Sequence, residues 1–146
     1  QGQIKNYLGR ISKPLLDRID IFTETIILKY GEISNSDKGE NSYNVRKRIE
    51  KVHHIQKERY KNDGILFNSE LSAGIIKRYC VMDNEAKEYL ENIFENMEFS
   101  ARAYHKVLKT ARTIADMDES GEIKRKHISE AVCYRTADKK YWGVTM

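Results

Sequence analysis

Two arginines sit where their surroundings suggest chemistry. Arg102 lies in Ser100-Ala101-Arg102-Ala103, and a Ser100 N-cap puts it in the first turn of a helix. A cation there faces the positive end of the helix dipole, at a cost of about 0.3–1 kcal/mol relative to an acid. An anion held at the helix start would offset that cost. The alternative is an exposed arginine partnered by a nearby glutamate. Arg18 lies in Pro14-Leu15-Leu16-Asp17-Arg18-Ile19-Asp20-Ile21, just ahead of a β-rich stretch. Its alternative is a salt bridge to Asp17 or Asp20.

Other chemistry finds little support. No G-x-x-x-x-G-K-[ST] loop occurs, so the amides and lysine that cradle β- and γ-phosphates are missing, and no apolar run ends in paired acids to hold Mg²⁺. The chain alone is therefore expected to be inactive and to bind no cofactor. His53, His54, His105 and His127 form no H-E-x-x-H pair and have no cysteine at zinc-ligand spacing, so surface or half-buried histidines and no metal site are expected. Cys80 and Cys133 read as two buried thiols in a reducing cytosol. No G-x-S-x-G elbow supports a hydrolase triad.

The 146 residues allow one modest core, and the net charge of +4 is only mildly favourable to nucleic acid. No apolar run approaches the ~20 residues of a membrane span, and no h-region of a signal peptide follows Gln1. A cytoplasmic protein with no membrane partner is expected. Opening on Gln1 rather than Met is what an excised or processed piece would show.

Two unlike parts must position the arginines. Ile19–Leu28 is rich in β-branched residues and predicts a strand, with no second strand to pair with. Residues 31–41 read as a polar, flexible linker, so 1–40 are expected to be partly disordered. From 41 to 146 the pattern is helical. Ser42 would cap a helix through Val45, Ile49, Val52 and Ile55, fading at Asn62-Asp63-Gly64. Ser69 would cap a short second helix through Ile76. Asp83 would cap a third, burying Ala86, Leu90, Ile93, Phe94 and Met97. Ser100 would cap a fourth, with Tyr104, Val107, Leu108, Ala111, Ile114 and Ala115 inward. After a turn at Asp118–Gly121, a fifth would run from about Lys124 to Arg135. The fold class is all-α, a small bundle of about five helices.

At these motifs the chain resembles a known family. Ile11 to Ile21, Ser100 to Ala103, Ala111-Arg112-Thr113-Ile114-Ala115-Asp116, His127-Ile128-Ser129-Glu130-Ala131 and Tyr134-Arg135 are similar, in order and spacing, to segments of the magnesium-chelatase-related AAA+ proteins of the ComM/YifB type. Arg46-Lys47-Arg48-Ile49 with Gln56 and Arg59 fits the intervening helix. Lys13 departs from the family's usual glycine.

The resemblance implies the tail of an AAA+ core over 1–40 and its whole helical C-terminal lid over 41–146. ATP and Mg²⁺ would be bound upstream in the full-length parent. Arg18 would be the arginine finger reaching a neighbouring subunit's ATP, and Arg102 the sensor-2 arginine touching its own subunit's γ-phosphate. The partners implied are the upstream core and the neighbouring subunits of a homo-oligomeric ring, a hexamer, with DNA as the remodelled substrate in transformation. The magnesium-chelatase ATPase subunit is a sister reading. A reading from another class is a free-standing helical module that binds DNA or protein through Arg46, Lys47, Arg48, Lys51, Lys57, Arg59 and Lys61.

Overall fold

The computed structural model describes residues 10–25, 27, 30–31, 39–97 and 99–142, with no side-chain description for 13, 16 and 136–142. It is helical throughout its regular part: α1 (Lys13–Leu16), α2 (Ser42–Tyr60), a 3-10 turn (Asn68–Glu70), α3 (Ile76–Tyr79), α4 (Asn84–Met97), α5 (Ala101–Met117) and α6 (Arg125–Trp142). Helix α5 is the hub and packs against α2, the 3-10 turn, α3 and, most extensively, α6.

Capping explains most boundaries. The Ser100 hydroxyl accepts the Ala103 amide at 3.1 Å, and the Asp83 carboxylate accepts the Ala86 amide at 2.8 Å, as the sequence suggests. Helix α2 differs by one residue: Asn41, not Ser42, is its cap, accepting the Asn44 amide at 2.9 Å. Its exit is made by Gly64 at φ +67, a left-handed conformation that glycine adopts without a Cβ penalty. The single helix expected from Ser69 is instead a 3-10 turn and a separate α3. Asn68 is held by other elements, its amide by Gln56 Oε1 at 3.0 Å and its side chain by Asp116, and Leu71 is extended (ψ 121).

The end of α5 has the bond pattern of a Schellman cap. Ser120 donates to the Ala115 carbonyl at 2.8 Å and Glu119, at φ +53, donates to the Asp116 carbonyl at 3.1 Å. The chain then forms a single parallel bridge, Ile123 to Met82, which ties the starts of α4 and α6 together.

Helix α6 runs past Arg135 to Trp142, and its third residue is His127. That side chain is 1% exposed, where a surface or half-buried placement was expected. Its Nδ1 accepts the Lys124 amide at 3.0 Å, a histidine version of a capping box, and Nε2 lies 3.1 Å from the Asp118 carboxylate. Lys126 and His127 hold the Asp118 carboxyl below its ordinary value. A depressed carboxylate contributes stability that is present above the unfolded pKa, about 4, and is lost as pH falls through the lowered folded value. Asp118→Asn should therefore flatten the fall in melting temperature below about pH 4. A fall as steep as in the unsubstituted chain would remove Asp118 from the acid response.

The apolar core joins Tyr60, Leu71, Ile76, Leu90, Val107, Leu108, Ala111, Ala115, Ile123, Ile128 and Ala131, all at most 2% exposed. Ile93 and Met97 pack on its edge, and Phe94 meets Tyr104 edge to face at 5.6 Å. Cys80 is buried, and burial pushes its thiol up to about 11, but Cys133 is exposed, so only one of the two expected buried thiols is in the core.

The segment expected as an unpartnered strand over about 19–28 forms no ladder among its described residues; 26 and 28 lie outside them. It lies against α6 instead, where Phe22 donates its amide to the Tyr134 carbonyl at 2.9 Å. Of the expected linker, 32–38 lie outside the described residues. Its end is tied down where Arg48 grips Glu40 through two 2.9 Å bonds.

Candidate functional site

Arg18 and Arg102 line one cleft of about 540 Å³, with Leu71, Ala73, Ala101, His105, Lys106 and Lys109. Four cations and a histidine thus face one space, and among the described residues no carboxylate lines it. Arg102 is the second residue of α5, as the Ser100 cap requires, and both arginines are exposed. Among the described residues no carboxylate pairs with either guanidinium. The local salt bridge that was the alternative for Arg18 is not realised, and Asp20 pairs with Lys106 at 2.5 Å instead; for Arg102, the nearby Glu98 lies outside the described residues.

The remaining lining residues come from a stripe. Arg102, His105, Lys106 and Lys109 recur at i, i+3, i+4 and i+7 on α5, so they share one face. That stripe was legible in the sequence and was missed beside the apolar one. Lys109 donates to the Ser69 carbonyl at 2.8 Å, and Lys106 donates to the Arg18 carbonyl. An anion entering the cleft meets two unpaired guanidinium forks backed by two anchored ammonium groups. A second groove, between α4 and α5, is lined mainly by Met82, Leu90, Phe94 and Tyr104, with Lys87, Glu91 and Glu95 beside them.

Beneath the cleft is a buried polar network that holds α5 in place. Asp116, 1% exposed, accepts from Arg59 Nη1 at 2.8 Å, Asn68 Nδ2 at 2.9 Å and Arg112 Nε at 3.1 Å. Arg112, also 1% exposed, spends its other donors on the Ser120 and Gly121 carbonyls at 2.5 and 2.9 Å. Tyr60 donates to Asn68 Oδ1 at 2.5 Å. Burial alone would lower the Arg59 pKa, but the Asp116 carboxylate more than offsets this and raises it. Arg112 and Asp116 thus serve the fold, joining α2, the 3-10 turn, α5 and its following turn.

The basic cluster on α2 is largely spoken for. Arg48 pairs with Glu40, Lys51 with Glu119, Arg59 with Asp116 and Lys61 with Glu58. Among the described residues Arg46, Lys47 and Lys57 have no carboxylate partner. Among the described residues no helix is long and apolar enough to cross a membrane. None of their histidine, cysteine and acidic side chains gather into a group that could hold a metal ion.

A capped helical bundle, pinned by a buried Arg–Asp network and carrying a basic cleft at a helix start, defines a small all-α domain. Residues 39–135 match the family described as magnesium chelatase, subunit ChlI C-terminal, and the chain belongs to that family, among the magnesium-chelatase-related proteins of ComM/YifB type. It is 39% identical over 134 residues to the competence protein ComM of Haemophilus influenzae, covering 91% of this chain and 26% of that protein. It is 38% identical over 138 residues to YifB of Salmonella typhimurium, covering 94% of this chain and 26% of that one. A Mycobacterium tuberculosis protein is 29% identical over 113 residues, 77% of this chain and 22% of its own length. The chain thus spans about a quarter of the length of these curated relatives.

Proposed function

We propose that this chain is the C-terminal lid and subunit-contact module of a ring-forming AAA+ ATPase of ComM/YifB type, which couples ATP hydrolysis to DNA remodelling. The observation that carries this is the convergence of Arg18 and Arg102 on one cleft, where among the described residues neither guanidinium has a carboxylate partner and no carboxylate is in the lining. The donor set fits phosphate: two guanidinium forks match its oxygens bidentately, and the ammonium groups add charge without geometry. When bound, ATP and Mg²⁺ supply the transferable phosphoryl group and its metal bridge. This chain's part is to neutralise charge on phosphate oxygens with Arg18 and Arg102.

Arg18 fits the finger acting on a neighbouring subunit's ATP. Two arginines facing one cleft also support a refinement for Arg102: it would serve the same phosphate group as Arg18, and hence the neighbour's ATP rather than that of its own subunit. A DNA role rests on the likeness to the competence protein ComM, and the magnesium-chelatase subunit remains the sister reading through the family match.

Arg102→Ala tests this. It should leave the stability of this chain within about 0.5 kcal/mol, as for an exposed residue. In the full-length protein it should weaken the preference for ATP over ADP and slow turnover, and Arg102→Lys should rescue only partly. Rings mixed from Arg18→Ala and Arg102→Ala subunits then separate the geometries. If both arginines serve one ATP from one chain, no interface in the mixed ring is complete and turnover stays lost. Recovered turnover would return Arg102 to its own subunit's ATP. Strong destabilisation of this chain with nucleotide preference intact would make Arg102 a structural residue.

A further inference from the structure

The segment that carries Arg18 has no secondary structure beyond the single turn of α1, yet it is tied to the bundle at several points. Lys106, its side chain 15% exposed, donates from Nζ to both the Arg18 carbonyl and the Asp20 carboxylate. Arg135, 1% exposed, donates from Nη1 to the Ile19 carbonyl at 2.6 Å and stacks its guanidinium on the Phe22 ring at 5.6 Å. The Phe22 amide closes the strap on the Tyr134 carbonyl at 2.9 Å. Two long cationic side chains thus reach from α5 and α6 to consecutive backbone carbonyls, those of Arg18 and Ile19.

Bonds to backbone carbonyls fix the chain's path rather than any one side chain. Those at residues 18 and 19 bracket the Cα of Ile19, and the first of them is bonded directly to the Cα from which the Arg18 side chain extends. Lys106 is also the next helical turn from Arg102 on the same face of α5. A displacement of α5 is therefore transmitted to Arg18 through a bond at that residue's own carbonyl.

We infer that Lys106 is a positioning residue. It clamps the Arg18 strap to α5, so that the two arginines of the cleft move as one body with the lid. This rests on the reading of Arg18 as phosphate-directed, but the clamp itself can be measured without nucleotide. The ammonium of Lys106 is bonded to the Arg18 carbonyl and the Asp20 carboxylate, so its loss releases Arg18 as well as removing one charge from the cleft, and Asp20→Asn separates the two effects because it loosens the clamp alone.

The test uses Lys106→Met and Asp20→Asn. In this chain, the Phe22 amide should exchange about tenfold faster or more in Lys106→Met, as expected for the loss of a hydrogen bond to a charged group. Amides in α5, such as that of Ala111, should keep their protection. Asp20→Asn, which keeps every cation of the cleft, should accelerate Phe22 exchange in the same direction by a smaller factor. In the full-length protein, Lys106→Met should lower kcat with little change in KM. In mixed rings it should fail as Arg18→Ala fails, as a donor to the neighbour, while its own ATP is still turned over beside an unsubstituted subunit. Unchanged Phe22 exchange in Lys106→Met would overturn the clamp. So would undiminished turnover by Lys106→Met in a protein that Arg18→Ala inactivates. If Arg18→Ala itself keeps normal turnover, the phosphate reading fails, and the exchange data alone decide whether Lys106 is a clamp.

Discussion

Replacing Asp116 by alanine should destabilise the bundle by about 3–5 kcal/mol, the cost of breaking a buried ion pair by removing one partner. The loss leaves Arg112, 1% exposed, and the half-sheltered Arg59 facing a carboxylate-sized void, and it strips the Asn68 side chain of one acceptor. Small domains hold only about 5–15 kcal/mol in total, so the variant should be largely unfolded at moderate denaturant. Chemical unfolding of this chain measures it. The companion triple change, Asp116→Leu with Arg112→Met and Arg59→Met, removes all the charges together and should recover much of the loss. A cost below about 1 kcal/mol for Asp116→Ala would mean that the apolar core, and not this network, holds α2 on α5.

Arg18→Ala should abolish turnover by the full-length protein while leaving ATP binding largely intact. A finger acts where charge develops in the transition state and adds little to ground-state binding. The loss expected is about 10³–10⁵-fold, the range for arginine fingers. Mixing this variant with a phosphate-loop variant should restore part of the activity, because some interfaces in a mixed ring contain both intact parts. Near-normal turnover by Arg18→Ala would reduce Arg18 to a surface residue of the strap.

Where the sequence was read well, local chemistry decides the outcome. Ser100 and Asp83 cap the helices that they precede because a side-chain oxygen one residue ahead of a helix has free amides to accept. The inner faces of α4 and α5 follow from apolar spacing alone. Where the reading fell short, distant residues decide. The helix expected from Ser69 breaks at the extended Leu71, after a 3-10 turn whose first residue, Asn68, is held by Gln56, Thr113 and Asp116, and nothing near residue 68 announces those partners. His127 is buried because Asp118 and the Lys124 amide satisfy its two ring nitrogens. Both arginines of the candidate site were named from their motifs. Their meeting in one cleft is a long-range fact, set by the strap of residues 17–22 lying on α5 and α6.

The Asp116 network also constrains how this sequence can drift. Three side chains from three elements share one buried carboxylate, and each of the four is tolerable only while the others are present. A lineage that loses Asp116 inherits two stranded cations, and one that loses Arg112 strands the carbonyls of Ser120 and Gly121. Positions 59, 68, 112 and 116 should therefore change together or not at all across descendants. The cleft above them is free of that bond: His105 or Lys109 can be exchanged without unfolding the chain. Selection can thus retune the anion-facing surface while the scaffold that presents it stays frozen.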